Sequence, residues 1–272
     1  SATGSSQYCV WPPNMVKVFR PTPGTMPGLT STATFRTNAE GLRGDGMPNG
    51  QQYRILAIGG STTECLLVDQ EKAWPLALQK RLNDLGRREV WVGSAGKAGL
   101  STREHYMHMK YLLPQFPGVD AVIILAGCND FMRRLIEDEK YDPHFLDHYA
   151  EWEPRLIRGA FSETPYYPGK YRFRTGYYDE TAIGSLYKKV RYVRSQQDLY
   201  QDERGIFFLR LREKRQEALE VVARLPDLAS ALGEYRRNLN TIIDMAQARG
   251  TRLIFVTQPY MWKPGMTARE QK

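Results

Sequence analysis

Apolar residues along this chain gather into four short runs, and the stretches between them carry apolar positions at helical spacing. Tyr53–Ile58 holds Ile55, Leu56, Ala57 and Ile58 without a polar interruption, which predicts a strand buried on both faces. Val90–Val92, Ala121–Ala126 and Leu253–Thr257 have the same character. Lys72–Leu85 places Trp74, Leu78, Leu82 and Leu85 on one face, and Thr102–Leu113 is a second helix stopped by Pro114. Asp227–Arg249 is a third, with Leu228, Leu232, Leu239, Ile242, Ile243 and Ala246 in phase and Gly250 closing it. Such alternation implies a parallel sheet with helices on both faces, because right-handed crossovers put them there. The expected strand order is second, first, third, fourth, as in flavodoxin-like folds.

The chemistry gathers where strands end. The first run stops at Gly59-Gly60, which permit a tight strand-to-helix turn, and Ser61 follows at the carboxyl edge, where open α/β sheets keep their active sites. By itself Gly-Gly-Ser is also an ordinary turn or a phosphate-binding loop. Behind the second run lies a loop crowded with Gly93, Gly96 and Gly99, and the third ends in Gly127-Cys128-Asn129-Asp130. Three strands thus deliver a hydroxyl, a glycine-rich backbone and a carboxamide to one edge. Those are the parts of acyl transfer: a nucleophile, and N–H donors for the oxyanion of a tetrahedral intermediate.

These blocks resemble those of the SGNH/GDSL hydrolase superfamily. Gly59-Gly60-Ser61-Thr62-Thr63 stands where that family has Gly-Asp-Ser, so Ser61 takes the nucleophile position and Gly60 replaces the usual Asp. Ser94 to Gly99 stands for Asn-x-x-x-x-Gly, with Gly99 as the oxyanion-hole glycine and Ser94 in place of Asn; Gly127-Cys128-Asn129-Asp130 matches Gly-x-Asn-Asp, making Asn129 the side-chain oxyanion donor. The resemblance covers roughly Tyr53 to Asp130 and resumes near Leu228 to Tyr260. It implies a three-layer α/β sandwich, a serine ester hydrolase or acyltransferase, and an acetyl or acyl ester of a carbohydrate or lipid as substrate, with no cofactor and no metal. The two departures, Gly60 and Ser94, are expected to loosen the site.

The family's Asp-x-x-His block, which supplies the general base, has no counterpart. The four histidines are His105, His108, His144 and His148; none has Asp three residues before it, and all precede the last strand. The expectation is a truncated chain whose base lies beyond Lys272. His105 follows Thr102, taken as a helix N-cap, and shares a face with Met109 and Leu112, so it reads as a packed helix residue rather than a base. His144 and His148 sit among Asp142, Asp147 and aromatics without the ligand spacing of a known metal class.

Around this core the chain divides into an N-terminal extension (1–52) packing on it, a first half (53–130), an insertion or lid (131–226) and a second half (227–272). The extension is rich in Pro and Gly, yet Trp11, Phe19, Met26 and Phe35 are costly to leave exposed. Residues 37–44 also resemble a segment preceding the nucleophile in a family branch tied to the cell envelope, and that resemblance favours the cell envelope or another extracytoplasmic place over the cytoplasm. The insertion is too long to be structureless, and residues 204–225 read as helical. Tyr166 to Arg194 interleaves aromatics with Lys and Arg, which reads either as a surface for an anionic polymer, a membrane surface or a protein partner, or as a solvated basic face. The net charge of +8 is spread over 272 residues without a nucleic-acid motif, so nucleic acid ranks last. Three cysteines are too few for a disulfide framework, and Cys65 and Cys128 read as small buried side chains. The rival to an enzyme is a non-catalytic subunit that keeps the fold as a scaffold.

Overall fold

The computed structural model describes residues 8–20, 29, 32–50, 52–148, 200–201, 213, 217, 225–258, 265 and 267. The aromatic basic stretch 166–194, and nearly all of the helix expected over 204–225, lie outside the described residues. In the N-terminal segment β1 (Val16–Arg20) pairs antiparallel with β2 (Ala33–Arg36). The main sheet follows with β3 (Tyr53–Gly59), β4 (Val90–Gly96) and β5 (Ala121–Leu125); after β6 (Tyr200–Gln201), which pairs with β1, it is completed by β7 (Arg252–Val256).

All pairings in that sheet are parallel, in the order β4-β3-β5-β7. This is the flavodoxin-like order expected from the alternation. Successive side chains alternate between faces. Ile55, Ala57, Val92, Ala121 and Ile123 pack against Trp74, Leu78 and Leu82 of α2 (Trp74–Asp84). Leu56, Ile58, Val122 and Ile124 pack in a second cluster with Met107 of α3 (Thr102–Met107) and with Ile242 and Ala246 of α5 (Ala229–Ala248). The result is three layers, helix on sheet on helix.

Three boundaries differ from expectation. β4 runs on to Gly96, so Gly93, Ser94 and Gly96 are strand residues and not a loop. Pairing with β3 on one side and a two-residue bridge to Arg43 on the other hold them extended. α2 begins at Trp74 rather than Lys72, because Pro75 suits only the first turn. The Thr102–Leu113 helix changes pitch: a π-helical turn spans His108–Leu112 and a 3-10 turn Leu113–Gln115, since Pro114 has no N–H to continue the α ladder.

The N-terminal segment contributes buried Val10, Trp11, Met15, Phe35 and Leu42 to the larger core. Trp11 donates its indole N–H to Gly96 O at 3.0 Å. Its most consequential residue is Arg43, which is 1% exposed. The guanidinium donates to Gln70 Oε1 at 3.0 Å, to Glu64 O and Cys65 O at 2.8 Å each, and to Val68 O at 2.7 Å. It also lies 4.6 Å from the Phe35 ring centroid. Burial pulls its pKa down to about 10, which still leaves it charged at neutral pH.

Two buried histidines also lie in the core. His105 and His108 are fully buried, their ring centroids 6.4 Å apart, with Tyr8 5.9 Å from His108. Among the described residues His105 Nδ1 and Nε2 and His108 Nδ1 have no hydrogen-bond partner. Burial, joined by His105 and Lys97 and opposed by Glu104, holds the His108 imidazole at about 3, against an ordinary 6.5.

Two outcomes follow. Arg43→Met keeps the stem but removes four charge-assisted hydrogen bonds from the buried guanidinium, and should cost about 3 to 5 kcal/mol in urea unfolding, with Arg43→Lys in between. For His108, the unfolded chain takes up its proton near 6.5 and the folded chain near 3. Stability from keeping it neutral is complete above 6.5 and falls as pH drops toward 3, by about 1.4 kcal/mol per pH unit. Chemical denaturation between pH 7 and 4 should show a shallower slope for His108→Phe than for the unchanged protein.

Candidate active site

The register sets the level of the site. Gly59, Gly96, Leu125 and Val256 are mutually paired, so all four strands reach the same row. Two residues past that row come Ser61 from β3, Gly127 from β5 and Gln258 from β7. Ser61, Asn129 and Gln258 line one small cavity together with Gly60, Thr62, Leu100, Leu125, Ala126, Gly127 and Cys128. Its volume is about 20 Å³, room for a single water-sized group.

Ser61 is exposed and opens α1 (Ser61–Glu64), a single turn. That turn lies against the sheet at contact distance. A Cβ on Gly96 would stand 2.3 Å from Glu64 N, and one on Gly59 would stand 2.1 Å from Thr63 Oγ1. Gly96 therefore serves close approach of two backbones, and Gly59 makes room for the Thr63 side chain. Arg43 holds the same turn from behind through the Glu64 and Cys65 carbonyls.

Asn129 sits in the first turn of α4 (Cys128–Glu137). Gly127 enters that helix at φ 108°, a left-handed conformation that excludes ordinary side chains. Asn129 Nδ2 donates to Leu100 O at 2.7 Å, which commits one N–H and leaves the other. A Cβ on Gly60 would stand 2.3 Å from that same nitrogen. The space that a side chain at position 60 would need is occupied by the Asn129 amide. Ser94, the other departure, is fully buried, with Oγ 3.3 Å from Thr63 O. The structure shows close packing at both positions and not the loosening expected of them.

Gly99 lies in the turn that follows β4, at φ 82°. It is not one of the cavity-lining residues; its neighbour Leu100 is. Of the three residues singled out from the sequence, the structure brings Ser61 and Asn129 to one cavity and puts Gly99 one residue behind its wall.

Asp130 places Asn129 by anchoring the start of α4. It accepts from Thr102 N at 3.0 Å and from Thr102 Oγ1, and Asn238 Nδ2 of α5 donates to that hydroxyl at 3.0 Å. Ser101, and not Thr102, is the N-cap of α3, in a capping box with Glu104. Glu104 also accepts from Arg133 of α4 at 3.0 Å. Burial raises the Glu104 pKa, but Arg133 and the Ser101 bonds outweigh it and hold the carboxyl below its ordinary range. Arg103 pairs with Glu234 of α5 at 2.5 Å. Three helices are thus cross-linked directly beside the cavity.

No cavity-lining residue is a histidine. His105 is buried, as its helix face predicts, and His144 Nδ1 lies 2.7 Å from Asp147 Oδ2 on the surface. Among the described residues no group of His, Cys, Asp and Glu is arranged to hold a metal ion. The cysteine reading needs correction: Cys65 is half-buried, and Cys128 is exposed at the N-terminus of α4, where the helix meets the cavity. Sequence reasoning missed Gln258. On the strand bounds read from the sequence Ser61 stands three residues past its strand and Gln258 one, and only the register of the formed sheet makes the two level.

No family model and no curated protein matches the chain. Among solved structures it is similar to AlinE4, described as an SGNH-hydrolase family esterase, at 17% identity over 82% of this chain and 91% of that one, with a TM-score of 0.32. It is also similar to TesA, at 18% identity over 72% and 99%, with a TM-score of 0.28. A third is an Axe2 acetylxylan esterase mutant from Geobacillus stearothermophilus, at 14% identity over 76% and 77%, with a TM-score of 0.27. At such TM-scores these likenesses carry no argument about the chemistry of this chain. It is in its own three sequence blocks, set along one edge of a parallel sheet, that the chain resembles the SGNH hydrolases.

Proposed function

We propose that the protein is a serine ester hydrolase or acyltransferase of SGNH type, acting on an acetyl or acyl ester of a carbohydrate or lipid. The observation that carries this reading is the convergence of Ser61 and Asn129 on one cavity at the carboxyl edge of the sheet. In the reaction Ser61 Oγ bonds to the ester carbonyl carbon and passes its proton to a base; the carbonyl π pair moves onto oxygen. The uncommitted N–H of Asn129, the main-chain N–H of Gly99 and that of Ser61 or its neighbour would hold the oxyanion. The N-terminus of α4 adds a favourable dipole, because Gly127, Cys128 and Asn129 lie on the cavity wall. Collapse expels the alcohol, and water or a second hydroxyl then takes the acyl group. No residue lining the cavity is a histidine, so the group that takes this proton is not among the cavity residues. A cavity this small admits one oxygen and leaves the acyl and alcohol groups outside it.

Hydrolysis of an aryl acetate by the full-length protein is the direct test. Ser61→Ala should abolish turnover, and Asn129→Ala should lower it about a hundredfold through the lost oxyanion donor. Turnover unchanged in Ser61→Ala would reject the reading and leave the scaffold role. Gly60→Asp, which installs the family's residue, should lower turnover rather than raise it, because its Cβ collides with the Asn129 amide. An increase would show that Asn129 has freedom the packing denies it.

A further inference from the structure

We propose that Gln258 is a second side-chain donor of the oxyanion hole. The inference rests on the serine-hydrolase reading above. Three observations carry it. The pairing of Gly59 with Leu125 and of Leu125 with Val256 puts Gln258 level with Ser61, two residues past a common row. Gln258 lines the cavity that Ser61 and Asn129 line, and it is half-buried. Among the described residues its carboxamide has no hydrogen-bond partner, whereas the Asn129 amide has already given one N–H to Leu100 O at 2.7 Å. An unpaired amide at the wall of a polar cavity of about 20 Å³ meets whatever oxygen enters it.

The chemistry favours a donor role. As Ser61 adds to the carbonyl, a full negative charge develops on an atom that fits the cavity, and a fixed N–H dipole is worth most where charge develops and water is excluded. Asn129 comes from the first turn of α4, which follows β5, and Gln258 from just past β7, the strand paired with β5, so two carboxamide residues from neighbouring strand ends line one small cavity. Gln258 is thereby assigned to the transition state and not to the alcohol portion of the substrate. Its loss should act on kcat and leave KM nearly alone.

The test uses the full-length protein with an aryl acetate and, as a tetrahedral mimic, phenylboronic acid. Ser61 Oγ adds to boron, its proton passes to solvent, and a boronate hydroxyl takes the oxyanion position; boron NMR reads the adduct whether or not a base is present. Gln258→Ala should lower kcat about a hundredfold at near-constant KM and weaken the boronate adduct at least about tenfold. Gln258→Glu supplies a readout that packing alone would not move. Its carboxyl can donate when protonated and repels the oxyanion when ionised, so its rate relative to the unchanged protein should fall as pH rises through a carboxyl titration. A raised KM with unchanged kcat, or an adduct as tight as before, would overturn the assignment. Should Ser61→Ala abolish turnover while Gln258→Ala does not lower it, this inference alone fails. Should the unchanged protein form no adduct and Ser61→Ala have no effect on turnover, the serine reading falls and this one with it.

Discussion

The buried guanidinium of Arg43 is the constraint on which the rest depends. Four hydrogen bonds from one side chain gather the carbonyls of Glu64, Cys65 and Val68 and the amide of Gln70, all in the segment that follows the nucleophile turn. Its main chain exchanges both bonds with Ser94, at 2.9 Å each, and so bridges to β4 at that edge of the sheet. One residue thereby ties the N-terminal segment to a strand and to the turn that presents Ser61. Arginine suits this work because its planar fork can satisfy several carbonyls at once, which a lysine ammonium cannot do in the same geometry.

Opposite this clamp the helices are held by buried charge. Glu104 with Arg133, Arg103 with Glu234, and Asp130 with Thr102 join α3, α4 and α5 around the first turn of α4. Buried pairs of this kind contribute little net stability, since desolvation offsets most of the attraction; their value lies in permitting one arrangement. Here the arrangement sets where Asn129 stands. Between the two anchors packing is so close that Gly59, Gly60 and Gly96 have no room for a side chain: Thr63 Oγ1, Asn129 Nδ2 and the Glu64 main chain take the space. Ser61 and Asn129 are thus positioned by independent supports and line the same small cavity.

Much of this was legible along the chain. The four apolar runs and the helical spacing between them specify strands, helices and a parallel sheet, because burial on both faces and right-handed crossover are properties of local pattern. Ser61 and Asn129 were legible for the same reason, each standing just past a strand that ends in glycine. The glycines of β4 were misread as loop. Composition alone cannot distinguish a glycine that turns the chain from one over which Trp91 or Thr63 must pass, and the two look identical until the neighbour is known.

What the sequence by itself determined is therefore the order of elements, the edge at which chemistry collects and the residue types delivered to it. Tertiary structure alone decided the rest. That Gly60 gives room to the Asn129 amide, that Arg43 clamps the nucleophile turn from 21 residues before Glu64, and that Gln258 faces the cavity of Ser61 are contacts between residues far apart in the chain. Periodicity reports only which face a residue occupies. Which partner meets it there is set by strand register and close packing, and these exist only once the sheet has formed.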